Sequence, residues 1–86
     1  MGVTFEDNAL KDYFEWHISD RKAAKKINEL IRDILKNGAM NGTGQPEKLK
    51  YINGYSRRIT QEHRLIYSLD KSNNLFIHSC KGHYEE

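Results

Sequence analysis

Ala23, Ala24, Ile27, Leu30, Ile31, Ile34 and Leu35 recur at spacings of three and four residues. One helix of about four turns therefore carries a continuous apolar stripe. Ser19-Asp20 offers it an N-cap and Asn37-Gly38 a stop, while its other face is Lys, Arg, Glu and Asp. Such a stripe needs a cover, and with 86 residues the chain is long enough for one domain, spanning residues 1–86. The cover is predicted from a change of period. Gly38 to Pro46 reads as a loop broken by Gly42, Gly44 and Pro46. Beyond it the pattern turns extended, with strands over Lys48–Tyr51, Tyr55–Thr60, His63–Leu69 and Leu75–Cys80 and turns at Gln61-Glu62 and Asp70–Asn74. Ahead of the long helix, Val3-Thr4-Phe5 is a short strand, and Glu6, Asp7 and Asn8 suit a helix start. Leu10, Tyr13, Phe14 and His17 are expected to form the inner stripe of that first helix, with Trp16 in the core. The order β-α-α-β-β-β-β predicts an α+β fold, two helices packed on one face of a mostly antiparallel twisted sheet.

No apolar run approaches the length of a membrane-spanning helix, and no basic flank followed by an apolar stretch marks a signal peptide. Cys80 is the only cysteine, so no intramolecular disulfide forms and a reducing cytoplasm is the expected setting. The net charge of +2 hides an asymmetry. Residues 1–40 hold seven basic and seven acidic side chains, whereas residues 41–84 hold seven basic and three acidic, before Glu85 and Glu86. A basic second half suits an acidic partner, RNA or an acidic protein.

Strand alternation locates that charge. Pairing Thr60 with His63 would mix apolar and polar side chains on both faces. Pairing Ile59 with His63 across a three-residue loop instead gathers Tyr55, Ile59, Leu65, Tyr67 and Leu69 into one core face. The other face then carries Ser56, Arg58, Thr60, Arg64, Ile66 and Ser68, with Arg58 and Arg64 side by side. Arg57 falls on the apolar side and is expected to reach out at its edge. Thr-Gln-Glu is an unusual three-residue turn because it has no glycine. Two opposed arginines repel, and an anion such as a phosphate relieves them. The plainer alternative is two solvated arginines near Glu47 or Glu62.

RNA cleaves by attack of a 2′-hydroxyl on the adjacent phosphorus, given a base, an acid and cations for the charged phosphorane. Glu47, His83 and the Arg58/Arg64 pair match these roles by residue type. His63 reads as a surface or core-edge histidine and His17 as structural. His78 and Cys80 are expected to share a strand face, with His83 on the other unless Gly82 makes a bulge, and no acidic ligand lies among them in sequence, which argues against zinc. No local signature supports a serine or cysteine nucleophile. Neither metal nor cofactor is called for. Tyr84 is either a stacking platform for a base or a frayed terminal aromatic.

The strings KKINELIRDILKNG, GTGQPEKLK, YSRRITQEHRLIYSLD and HSCKGHY together resemble the YoeB (Txe) family of bacterial toxins, within the RelE-like superfamily. The resemblance covers nearly the whole chain. It implies the toxin of a toxin–antitoxin pair, a ribosome-dependent endoribonuclease that cuts mRNA in the A site. It assigns Glu47 as general base, His83 as general acid and Arg64 as the phosphate-stabilising arginine. Lys50, Arg58 and Tyr84 match accessory positions that hold or orient the RNA. The implied partners are a YefM/Axe-like antitoxin, the 70S ribosome with its mRNA, operator DNA only as the toxin–antitoxin complex, and a second copy in a homodimer. Two departures stand out: residues 51–54 form a short segment followed by Tyr55 where Trp is frequent, and Glu85-Glu86 follow the His-Tyr pair. A binding module that blocks translation by occlusion is the rival from a different class. A lone DNA-binding regulator lacks a recognition-helix pattern.

Overall fold

The computed structural model describes residues 2–82. Its elements are β1 (Val3–Phe5), α1 (Asp7–Ser19), α2 (Arg21–Asn37), β2 (Glu47–Lys48), β3 (Tyr55–Arg58), β4 (Arg64–Leu69) and β5 (Leu75–Ser79). The five strands form one sheet in the order β1-β5-β4-β3-β2. Every pairing is antiparallel except β1 with β5, which is parallel. The expected α+β architecture is therefore the observed one, with a mixed, mostly antiparallel sheet.

The core lies between α2 and the sheet. Ala23, Ile27, Leu30 and Ile34 of α2 meet Leu65, Tyr67, Leu75 and Ile77, each at most 3% exposed. Asp20 caps α2 as its sequence predicts, its carboxylate accepting from the Lys22 and Ala23 amides at 3.1 and 3.2 Å. Gly38 closes the helix, donating its N–H to Ile34 O at 2.8 Å.

The inner stripe of α1 differs from the sequence expectation. Phe14 is 59% exposed and Leu10 37%, and His17 is exposed as well. The buried line runs instead through Ala9, Tyr13 and Trp16. Ala9 is small enough to let the helix approach the sheet until Cys80 Sγ donates to its carbonyl at 3.4 Å. Tyr13 packs on Phe5, ring centroids 4.9 Å apart, and donates its hydroxyl to Asn28 Oδ1 of α2 at 2.6 Å. His17 contacts Tyr13 within the helix, Nδ1 to Tyr13 O at 2.8 Å and ring edge to ring with centroids 4.7 Å apart.

Strand ends are shorter than expected, most of all at β2, which covers Glu47 and Lys48 rather than Lys48–Tyr51. The β3–β4 register is the one that hydrophobic consistency selects. Arg58 stands opposite Arg64 and Arg57 opposite Leu65, and the Ile59 N–H donates to His63 O at 2.9 Å. The glycine-free turn is stabilised by a side chain: Thr60 Oγ1 accepts from the Glu62 and His63 amides at 3.2 and 3.1 Å.

Candidate functional site

The sheet face turned away from the helices carries Ser56 and Arg58 of β3 beside Ile66 and Arg64 of β4. Glu47 joins them because β2 pairs Glu47 with Ser56, one same-face position from Arg58. Glu47, Arg58 and Arg64 thus share one face on three neighbouring strands. Ser56 and Ile66 beneath them are 1% and 4% exposed, so the charged groups stand on a buried floor. Among the described residues, the ion pairs are Arg57–Asp33 and His78–Glu6, and neither arginine of the opposed pair takes part. Arg58 Nε is buried without a hydrogen-bond partner. A buried donor left unpaired costs about 1–3 kcal/mol, so an incoming acceptor finds this group poised. Lys50 follows β2 and is exposed. His83 and Tyr84 lie outside the described residues.

What fixes Glu47 is the loop that delivers it. Gly44 O accepts from the Arg58 N–H at 2.7 Å, and Gln45 then takes a positive φ of 54°. The chain shifts there by one residue before β2 begins. Gly44 has φ +83°, and a Cβ on it would come within 2.7 Å of Leu30 Cδ2 and 3.3 Å of Arg57 Cβ. No other residue fits this crossing of loop over core.

Arg57 overturns the expectation that it reaches out at the edge. It is wholly buried, and its guanidinium organises the loop. Nε donates to Tyr67 Oη at 2.9 Å. One terminal nitrogen donates to the Asp33 carboxylate and to Thr43 O. The other donates to Gly38 O and Asn41 O at 2.9 Å and more weakly to Ala39 O. Inward alternation left the charge no exit, so the 38–43 segment folds round it and satisfies it with carbonyls. Asp33 also accepts from the Thr43 amide and from Asn37. Burial pushes the Asp33 carboxyl up, but the hydrogen bonds from Arg57, Thr43 and Asn37 outweigh it and hold its pKa below the ordinary 3.8. Sequence reasoning missed this hub. The signal was an arginine in the inward phase of a strand otherwise lined by apolar groups.

The chain after β5 is tied back to the hairpin. Trp16 Nε1 donates to Cys80 O at 2.9 Å, the Gly82 N–H donates to His63 Nδ1 at 2.9 Å, and the Arg64 N–H donates to Gly82 O at 3.0 Å. The Trp16 and His63 rings meet edge to face with centroids 4.9 Å apart.

His78 and Cys80 do not share a face, contrary to the sequence reading. His78 bridges Ser68 Oγ and Glu6 Oε1, each at 2.8 Å, whereas Cys80 is buried in the core. Tyr67 pairs with Ile77 but Ile66 with Ser79, so His78 is an extra residue in the strand, and this bulge turns Ser79 outward and Cys80 inward. Burial pushes the Cys80 thiol up to about 11, so it is a poor nucleophile. Ser68, His78 and Glu6 are hydrogen-bonded in the order of a nucleophile relay. Ser68 and His78 stand on β4 and β5, whose amides are engaged in the sheet, and Glu6 is the residue ahead of α1, so nothing in the trio offers free amides to a developing oxyanion. Among the described residues, no cluster of His, Cys, Asp or Glu could hold a metal, and no helix is long and apolar enough to cross a membrane.

Comparison with known proteins finds relatives of the chain and of its fold. The family described as "YoeB-like toxin of bacterial type II toxin-antitoxin system" matches residues 5–84. Toxin YoeB of Escherichia coli K12 is 41% identical over 98% of this chain and 100% of its own. YoeB of Staphylococcus aureus, in its heterotetrameric complex with YefM, superposes with a TM-score of 0.90 at 49% identity, over 98% of both chains. The YoeB dimer from the same organism gives a TM-score of 0.91, again at 49% identity and 98% coverage of each chain. The RelE of a RelE–RelB complex from Pyrococcus horikoshii shares the fold at 21% identity and a TM-score of 0.71, over 94% of this chain and 92% of its own.

Proposed function

Since the chain belongs to the YoeB-like toxins of bacterial type II toxin–antitoxin systems, we propose that it is a ribosome-dependent endoribonuclease that cuts mRNA in the A site. The observation that carries the reading is the opposed Arg58/Arg64 pair with Glu47 on the same face and Arg58 Nε unpartnered. In the reaction, the Glu47 carboxylate takes the proton of a 2′-hydroxyl and the freed oxygen attacks the neighbouring phosphorus. Arg58 and Arg64 hold the charged phosphorane. His83 gives a proton to the departing 5′-oxygen, leaving a 2′,3′-cyclic phosphate and a 5′-hydroxyl. DNA lacks the attacking hydroxyl, so the chemistry is confined to RNA. Lys50 and Tyr84 hold and orient the strand. The step uses protein groups alone and needs no metal.

The whole chain acts as one toxin domain. Its partner is a YefM-like antitoxin, by analogy with the Staphylococcus aureus relative, and it binds operator DNA only within that complex. Self-association into a dimer follows the same analogy.

The test is end mapping of a defined mRNA on programmed ribosomes with wild-type protein, Arg64→Ala and His83→Gln. A discrete cut in the A-site codon ending in a cyclic phosphate is expected. It should fall about 10²–10⁴-fold with His83→Gln, and by at least about 10²-fold with Arg64→Ala. Blocked translation on intact mRNA would replace catalysis by occlusion.

A further inference from the structure

His63 has no part in the reaction as written, yet it is bound to the chain that leads to His83. The Gly82 N–H donates to His63 Nδ1 at 2.9 Å. A backbone amide can only donate, so Nδ1 carries no proton and the neutral ring keeps its hydrogen on Nε2. The next residue, Arg64, uses its own backbone N–H to hold Gly82 O at 3.0 Å. His63 and Arg64 therefore take both polar groups of Gly82. The ring itself is braced by Trp16, whose indole meets it edge to face and whose Nε1 holds Cys80 O two residues earlier.

Hydrogen bonds, not packing, fix Gly82. Its φ is +82°, and a Cβ on it would meet no atom within 4 Å. The carbonyl carbon of Gly82 is bonded to the nitrogen of His83, so the point from which His83 departs is referenced to the backbone of Arg64. The Arg64 side chain holds the phosphate in the proposed reaction.

We infer that His63 is a positioning residue for cleavage: by accepting the Gly82 amide at Nδ1 it fixes, beside the Arg64 backbone, the residue from which the chain continues to His83. This rests on the reading of His83 as the general acid. A displacement of about 1 Å in such a group costs about 10²-fold in rate, so loss of the acceptor should be felt in turnover rather than in substrate binding.

Three variants separate positioning from simple support of the fold. His63→Asn places an amide oxygen near the position of Nδ1. His63→Gln places it near Nε2. His63→Phe keeps a ring against Trp16 and offers no acceptor. Each is measured by single-turnover cleavage on programmed ribosomes, ribosome affinity, thermal midpoint and exchange of the Gly82 amide. The expected result is a fall of about 10–10² in rate for Phe and Gln, with unchanged affinity and a faster-exchanging Gly82 amide. Asn should recover most of the rate and the protection. Should Phe not fold, the Asn–Gln comparison carries the same test. Equal rates for wild type, Phe and Gln overturn the inference, as does an Asn variant no faster than Gln. A wild-type protein that cuts while His83→Gln cuts equally well removes His83 as the acid, and the positioning role with it. A wild-type protein that binds ribosomes without cutting overturns the catalytic reading itself.

Discussion

Arg57 concentrates more of this molecule's organisation than any residue facing the proposed RNA site. All five of its N–H groups are engaged, by Tyr67, Asp33 and four loop carbonyls. Removing the guanidinium leaves those acceptors without their donor and Asp33 without its counter-charge. Arg57→Ala should cost about 3–5 kcal/mol, a large part of a small domain's stability, as read from urea unfolding. Arg57→Lys should recover little, because a point charge with three donors cannot reach acceptors spread in a plane around a fork. Arg58, its neighbour, has the opposite character. It contributes a buried, unpaired Nε to the outer face, and its loss should leave folding intact while weakening inhibition of translation. Alternation alone told these two arginines apart by face. It could not reveal that the inward one is satisfied, because its partners come from α2 and a loop whose path no period describes.

Among the elements, the β3–β4 hairpin was the most legible and α1 the least. The hairpin could be read because a one-residue slip would have turned Leu65 and Tyr67 to the outside. Its turn was harder: Thr60 performs with a hydroxyl what glycine normally does with backbone freedom. Thr60→Val keeps the shape and removes the acceptor from two amides. It should destabilise the protein by about 1–2 kcal/mol, and thermal unfolding against Thr60→Ser, which keeps the oxygen, checks it. In α1 Leu10 and Phe14 lie outward, and the helix packs closest through Ala9, flanked by Tyr13 and Trp16. Size misleads where close approach of two backbones is what counts. Glu6 stands at the start of α1, where the sequence places it. It makes no side-chain cap for α1, and its carboxylate goes to His78. Of the candidate site, the Glu47–Arg58–Arg64 face follows from register, whereas the tie between His63 and Gly82 depends on where the chain turns after β5.

For the molecule as a whole, the Asp33–Arg57 hub couples stability to acid. The Asp33 pKa is held below 3.8 in the folded protein by the hydrogen bonds it accepts. The unfolded chain therefore binds the proton first as pH falls. Asp33's contribution is complete above the ordinary carboxylate range and is lost as pH drops through its lowered folded value. Chemical denaturation from pH 6 down to about pH 3 should show a declining midpoint, and Asp33→Asn should be less stable at pH 6 with a flatter decline. The sheet order has a further consequence, one for the time course of folding. Strands β2 to β5 pair with neighbours in sequence, but β1 must find β5 across the whole intervening chain, Val3 opposite Leu75. Closing so long a loop is the entropically expensive event, and local pairings come first. Pulse-labelled hydrogen exchange should find the β4 amides protected before those of β1, and simultaneous protection would refute this order. A refolding chain then acquires the opposed arginines while its N-terminal strand is still unattached, so the face proposed to bind RNA forms before its final stability does.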